Sequence, residues 1–175
     1  MARRRKTIKM NLSVSSVESV IKQIEEYKQS LVFKTEQLLK ELGKIGIQTI
    51  DAKMSNVVGD SDPSHYAFVR ISSYGGYSKA TIILQGHDIG FVEFGAGIHY
   101  NGAAGSSPHP KGQQMGYTIG SYGMGQGAND YWKYYDEDQG RFKTSQGTKA
   151  AMPMYNAEVE IMRQVKQVAK KVFGE

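Results

Sequence analysis

His99 and His109, with Glu93 nearby and His87 upstream, are the only grouping in this 175-residue chain whose side-chain types suit a metal ion. Their spacing follows neither the i, i+4 rule of a helical site nor a zinc-finger pattern. The stretch between the two histidines is rich in glycine, and a metal site needs ligands held in place by surrounding contacts. The other reading is that these histidines cap or line a loop. Gly123-Met124-Gly125-Gln126-Gly127 has the look of a nucleotide loop, but no apolar strand precedes it and no helix pattern follows, so the fingerprint lacks its context. Asp136, Glu137 and Asp138 could act as catalytic carboxylates, yet they fall in a predicted hairpin turn, where solvated acids are the rule. There is no Gly-x-Ser-x-Gly elbow. Cysteine is absent, which removes disulfides, thiolate ligands and thiol nucleophiles together and suits a protein made in a reducing cytoplasm. The expectation is a protein that is not an enzyme and carries no cofactor or metal.

Aromatic residues point elsewhere. In Tyr131-Trp132-Lys133-Tyr134-Tyr135, strand alternation puts Trp132 and Tyr134 on one face and Tyr131 and Tyr135 on the other. Such a strand carries more apolar surface than one side of a small sheet can hide. Tyrosine and tryptophan are common interface anchors, so one face reads as an interface; plain core packing is the alternative. Tyr117, Tyr122, His99 and His109, in or beside the glycine-rich stretch, are further interface candidates. Arg3, Arg4, Arg5 and Lys6 supply four of the formal +5 charges, leaving +1 for the rest. The body is thus nearly neutral, and only this arm could reach towards phosphate; a solvated or partner-bound terminus is the alternative.

The elements that must position these residues follow from periodicity. Ile8, Met10, Leu12 and Val14 alternate with polar residues and predict a strand. Ser15 to Glu18 has capping-box form. From Val17, residues of one face recur in steps of three and four through Val20, Ile24, Tyr27, Leu31, Thr35, Leu38, Leu42, Ile45 and Thr49, which predicts a helix ending between Ile50 and Gly59. Forty helical residues span roughly 60 Å, whereas a compact chain of this length is only about 40 Å across. The helix must therefore project beyond its domain or bend, with Gly43 and Gly46 as the bending point. Tyr66 to Ser72 and Lys79 to Gln85 form a hairpin about Gly75-Gly76. Ile89 to Phe94 is a short apolar segment, helix or strand. Half of the chain's 20 glycines lie between Gly95 and Gly127, a segment too poor in apolar residues to order alone. A second hairpin spans Tyr131 to Thr144. A last helix begins at Pro153, with Ala157, Ile161, Val165, Val168 and Val172 on one face, Lys170 and Lys171 in the final turn and Gly174 after it.

The length fits one domain with a core of its own, residues 8–175, preceded by a basic arm over 1–7 and containing a docking loop over 95–130. There is no apolar run of about 18 residues, so no membrane span is expected, and the basic N-terminus lacks the apolar region of a secretory signal.

Phe91-Val92-Glu93-Phe94-Gly95-Ala96-Gly97, placed after a hairpin, resembles a segment of the gene-product-ten-like neck (tail-completion) proteins of lambdoid siphophages. Three further features agree: a long helix opening with Val17-x-x-Val20-Ile21, a hairpin carrying Trp132, Tyr134, Asp136 and Glu137, and the series Gly147, Ala150, Pro153, Ala157 before the last helix. The resemblance covers roughly Leu12 to Phe173. Ala96 stands where the family commonly has Thr, and the Arg3 to Lys6 arm is outside the shared pattern. The resemblance implies an α+β fold with long N-terminal and C-terminal helices packed on a small antiparallel sheet. It also implies a structural protein of the virion neck, assembled in the host cytoplasm. Such a protein would form a ring with copies of itself around the DNA channel, between the head-closure or connector protein and the tail terminator or tail tube. Phe91, Glu93, Phe94, Gly95 and Gly97 would fix the start of the loop, and Pro153 and Ala157 the last helix. The rival expectation is a nucleic-acid-binding accessory protein using the basic arm.

Overall fold

The computed structural model describes residues 11, 13–74, 76–96, 107–117, 131–137 and 139–174, and of Trp132 the backbone alone. The fold is α+β, with element order α1 (Val14–Met54), β1 (His65–Tyr74), β2 (Tyr77–Gly86), α2 (Ile89–Phe94), β3 (Trp132–Asp136), β4 (Arg141–Ser145) and α3 (Pro153–Phe173). Long first and last helices with small antiparallel sheets are as the sequence implies. The strands do not form one sheet, however: β1 pairs with β2, and β3 with β4, as two separate antiparallel ribbons. Among the described residues no helix is long and apolar enough to cross a membrane.

α1 starts earlier than its capping-box signature suggests. Ser13 is the N-cap and its hydroxyl accepts from the Ser16 amide. Asn11 in turn accepts from the Ser13 amide through its Oδ1 at 3.1 Å. Ser15 is already inside the helix, as is Val14, so the predicted strand cannot run to Val14; its other apolar residues, Ile8, Met10 and Leu12, lie outside the described set. The helix then continues unbroken for 41 residues. Gly43 and Gly46 do not interrupt it. They serve close approach instead: a Cβ on Gly43 would fall 2.6 Å from a Val69 methyl of β1, and one on Gly46 would fall 2.4 Å from Ile82 of β2 and 3.0 Å from Ile161 of α3.

The core sits at the C-terminal end of α1, where Ile50 and Met54 meet Val92 of α2 and Ala157 of α3, flanked by Ala67, Ile82 and Leu84 of the first hairpin. α3 runs antiparallel to α1, with Ile161 beside Gly46 and the Phe173 ring beneath the Lys34 ammonium. On α3, Val165 is exposed, and Gln164 takes the half-buried place expected of it. Gly174 closes the helix in the left-handed conformation, its amide donating to the Lys170 carbonyl. α3 ends level with Lys34 and the hairpin tip borders α1 from Lys28 to Thr35, so among the described elements the first half of α1 projects. No residue before Leu42 in α1 is fully buried.

His65 fastens the first hairpin to α1: its Nε2 lies 2.9 Å from Asp51 Oδ1 and its Nδ1 2.9 Å from the Pro63 carbonyl. Burial alone would lower its pKa, but the two hydrogen bonds and the Asp51 charge outweigh burial and raise it.

Candidate functional site

The segment from Ser145 to Met152 threads between two earlier loops and organises the region around α2. Thr148 and Ala96 exchange backbone hydrogen bonds of 2.9 and 2.8 Å, Lys149 donates to Val58, and Ala151 donates to Val92. The Asp60 carboxylate accepts from the Ser145 hydroxyl and the Gln146 amide. The Thr148 hydroxyl, almost fully buried, donates to Ser61 Oγ at 2.6 Å and accepts from the Ser61 amide at 3.0 Å. Replacing Thr148 by Val keeps the shape and orphans the Ser61 amide, so a loss of about 1–3 kcal/mol in urea unfolding is expected. Thr148→Ser should retain most of the stability.

This threading delivers Pro153 to the end of α2. Ala151 and Met152 offer no side-chain cap, and Met152 is the only non-glycine described residue with positive φ, at 52°. The α3 amides are met from α2 instead. Glu93, 6% exposed, accepts from the Met154 amide through Oε2 at 2.8 Å and from the Tyr155 amide through Oε1 at 3.0 Å. Its anionic charge lies at the positive end of the helix dipole. Oε1 also lies 3.1 Å from His109 Nε2.

His109, 7% exposed, is fixed on both sides. The Lys111 amide donates to its Nδ1 at 3.0 Å, so that nitrogen carries a lone pair and the proton belongs on Nε2, directed at Glu93. The ring packs edge-on against Phe94, 4.6 Å between centroids, and against Tyr155 at 5.3 Å. Tyr117 stacks on the other part of Phe94 at 4.2 Å. That stacking needs Gly90, because a Cβ there would run into the tyrosine hydroxyl. Ser107 binds the chain to α2 as well: its hydroxyl donates to the Phe94 carbonyl and accepts from the His109 amide.

The Glu93–His109 pair therefore has the residue types of a proton-transfer dyad but presents no free ring nitrogen to a substrate. It borders an apolar groove of about 630 Å³ between α2, α3 and the 107–111 segment, lined by Ile89, Phe94, Pro110, Met154 and Met162. The described residues contain no group of three or more His, Cys, Asp or Glu able to hold a metal.

The sequence-derived candidates separate clearly. Glu93, Phe94, His109 and Tyr117 come together with Pro153, and Ala157 lies one turn further along α3 in the core. His109, expected at an interface, is instead inside, and Tyr117 is half-buried. Tyr134 and Tyr135 are exposed on the second hairpin, where Tyr135 meets Phe142 edge-on at 5.3 Å. Asp136 bridges to Lys143 and accepts from the Gln139 amide, holding the turn. Arg3, Arg4, Arg5, Lys6, Gly97, His99, Tyr122, most of the 95–130 loop and the Trp132 side chain lie outside what the structure describes. The residue with the most connected role that spacing alone does not connect to His109 is Tyr155. The usable signal was the missing polar cap before Pro153.

No family model matches this chain, nor does any curated protein or solved structure.

Proposed function

We propose that this chain is a structural joining protein of a long-tailed bacteriophage neck, forming a ring between the head-closure and tail-terminator proteins and turning over no substrate. The observation that carries this reading is the first half of α1, which holds Val14, Val17, Ile21 and Ile24 exposed along one side with none of the other described elements covering them, Leu31 being the first to border the hairpin tip. A soluble monomer rarely leaves so long an apolar stripe open without a partner. Two features add support. The second hairpin offers exposed Tyr134, Tyr135 and Phe142, the kind of aromatic cluster that anchors interfaces. The Glu93–His109 pair is spent on holding α3, which suits a scaffold better than a catalyst.

Particles from a phage lacking the gene test the assignment by negative-stain electron microscopy. DNA-filled heads beside separate, finished tails are expected. Normal infectious virions would overturn it and turn attention to the Arg3 to Lys6 arm, whose DNA affinity would fall steeply with salt.

A further inference from the structure

The projecting half of α1 has a regularity beyond mere amphipathicity. Val14, Val17, Ile21, Ile24, Lys28 and Leu31 alternate in steps of three and four, and the same seam continues as Thr35, Leu38, Leu42, Ile45 and Thr49. This is a strict seven-residue repeat, the pattern that demands a second helix wound against the first. From Leu38 onward the seam is buried or half-buried within the chain's own fold. Among the described residues it is open from Val14 to Ile24, with Val14 76%, Ile21 51% and Ile24 53% exposed, while Lys28 and Leu31 border the tip of the first hairpin and stay exposed beside it. One helix thus carries a satisfied seam and an unsatisfied one in unbroken register.

Charge selects the occupant. Lys28 is the one charged residue on the open seam. A parallel second copy would set Lys28 against Lys28. An antiparallel copy, with the two-fold axis between residues 22 and 23, sets Ile21 against the partner's Ile24, Val14 against the partner's Leu31, and Lys28 against the partner's Val17. There the Glu18 carboxylate, next along the helix, lies beside the partner's Lys28. Six side chains per copy, losing about 100 Å² each, bury about 1,200 Å² in total, the lower edge of stable specific interfaces.

We infer that the projecting half of α1, residues 14–31, pairs antiparallel with the same segment of a second copy, giving a two-fold dimer. The inference does not rest on the neck reading. The two are connected, however: a two-fold pair closes on itself and cannot propagate round a ring, so ring assembly would have to open it. The dimer is the form in which the free subunit covers its helix.

Sedimentation of the full chain over a range of concentrations should show a monomer–dimer equilibrium. Ile21→Glu with Ile24→Glu, at positions outside the folded core, should weaken the dimer about a hundredfold or more, with circular dichroism confirming an unchanged helix content. Lys28→Glu should weaken it, and adding Glu18→Lys should restore it. Since the chain has no cysteine, introduced thiols report orientation. Val17→Cys alone should not cross-link, because the two copies of residue 17 would lie about 16 Å apart, whereas Val17→Cys with Lys28→Cys should give covalent dimers. A strict monomer at every concentration, a dimer indifferent to the glutamates, or ready cross-linking by Val17→Cys alone would each overturn the inference. None of these results depends on the phage experiment.

Discussion

Replacing Glu93 by Ala should remove about 3–5 kcal/mol of stability, lowering Tm by roughly 6–20 °C. The residue is a buried anion serving three donors: the Met154 and Tyr155 amides and His109 Nε2. Alanine leaves all three without this acceptor at a largely buried position, and the cost of orphaned buried donors exceeds the modest net gain of a made hydrogen bond. A typical domain is stable by only about 5–15 kcal/mol, so the variant should be partly unfolded at moderate temperature. Glu93→Gln is the sharper comparison. It preserves volume but offers one carbonyl oxygen to three donors and turns its own NH2 towards another N–H. Its stability should fall between those of the parent and Glu93→Ala. A glutamine variant as stable as the parent in thermal and urea unfolding would show that the charge at this position does not hold α3.

A second large effect is expected at Gly59, which adopts φ +134° and bridges Thr148. An alanine Cβ would sit 2.3 Å from the Gly147 carbonyl oxygen and 2.5 Å from Thr148 Cα. Both are backbone atoms of the threading segment and cannot swing aside as a side chain would. Strained φ costs about 1–3 kcal/mol, and overpacking adds about 1–3 kcal/mol, so Gly59→Ala should destabilise by roughly 2–6 kcal/mol. Gly76→Ala supplies the contrast. Its φ is +87°, but a Cβ there meets nothing within 4 Å, so only the backbone strain applies. Equal losses at the two positions in urea unfolding would mean that the contact with Gly147 and Thr148 is not tight.

Regular periodicity made much of the fold legible. α1, α3 and both hairpins are written in local alternation, and the first hairpin turned at Gly76, where φ above zero was needed. The N-terminus of α1 was less clear because Ser13, Ser15 and Ser16 compete for one cap; the choice fell to Ser13 through its contacts with Asn11 and Ser16. Gly43 and Gly46 looked like a weak point in a helix because their neighbours on β1, β2 and α3 are invisible to a linear pattern. The separation of the two hairpins is likewise a matter of tertiary pairing. At the site, the Glu93-Phe94-Gly95 segment stood out, but its partner did not. A carboxylate capping amides 61 and 62 positions away leaves no spacing rule. The clue lay in an absence, since Ala151 and Met152 precede Pro153 where a serine, threonine or aspartate would ordinarily cap.

The antiparallel match of α1 with α3 has a consequence for synthesis of the chain. α1 is complete at Met54, and α3 begins only at Pro153, about 100 residues later. At cellular elongation rates of about 5–20 residues per second, the first helix waits roughly 5–20 s before its intrachain partner is made. During that interval only the first hairpin and α2 can cover Ile50 and Met54, while Ile21 and Ile24 stay as exposed as they remain in the finished fold. The nascent helix, some 60 Å long, therefore carries an apolar stripe that is only partly covered, and neighbouring ribosomes on one message would bring such stripes together. Translation speed and chaperone supply should govern the yield of soluble protein more strongly than the stability of the completed domain.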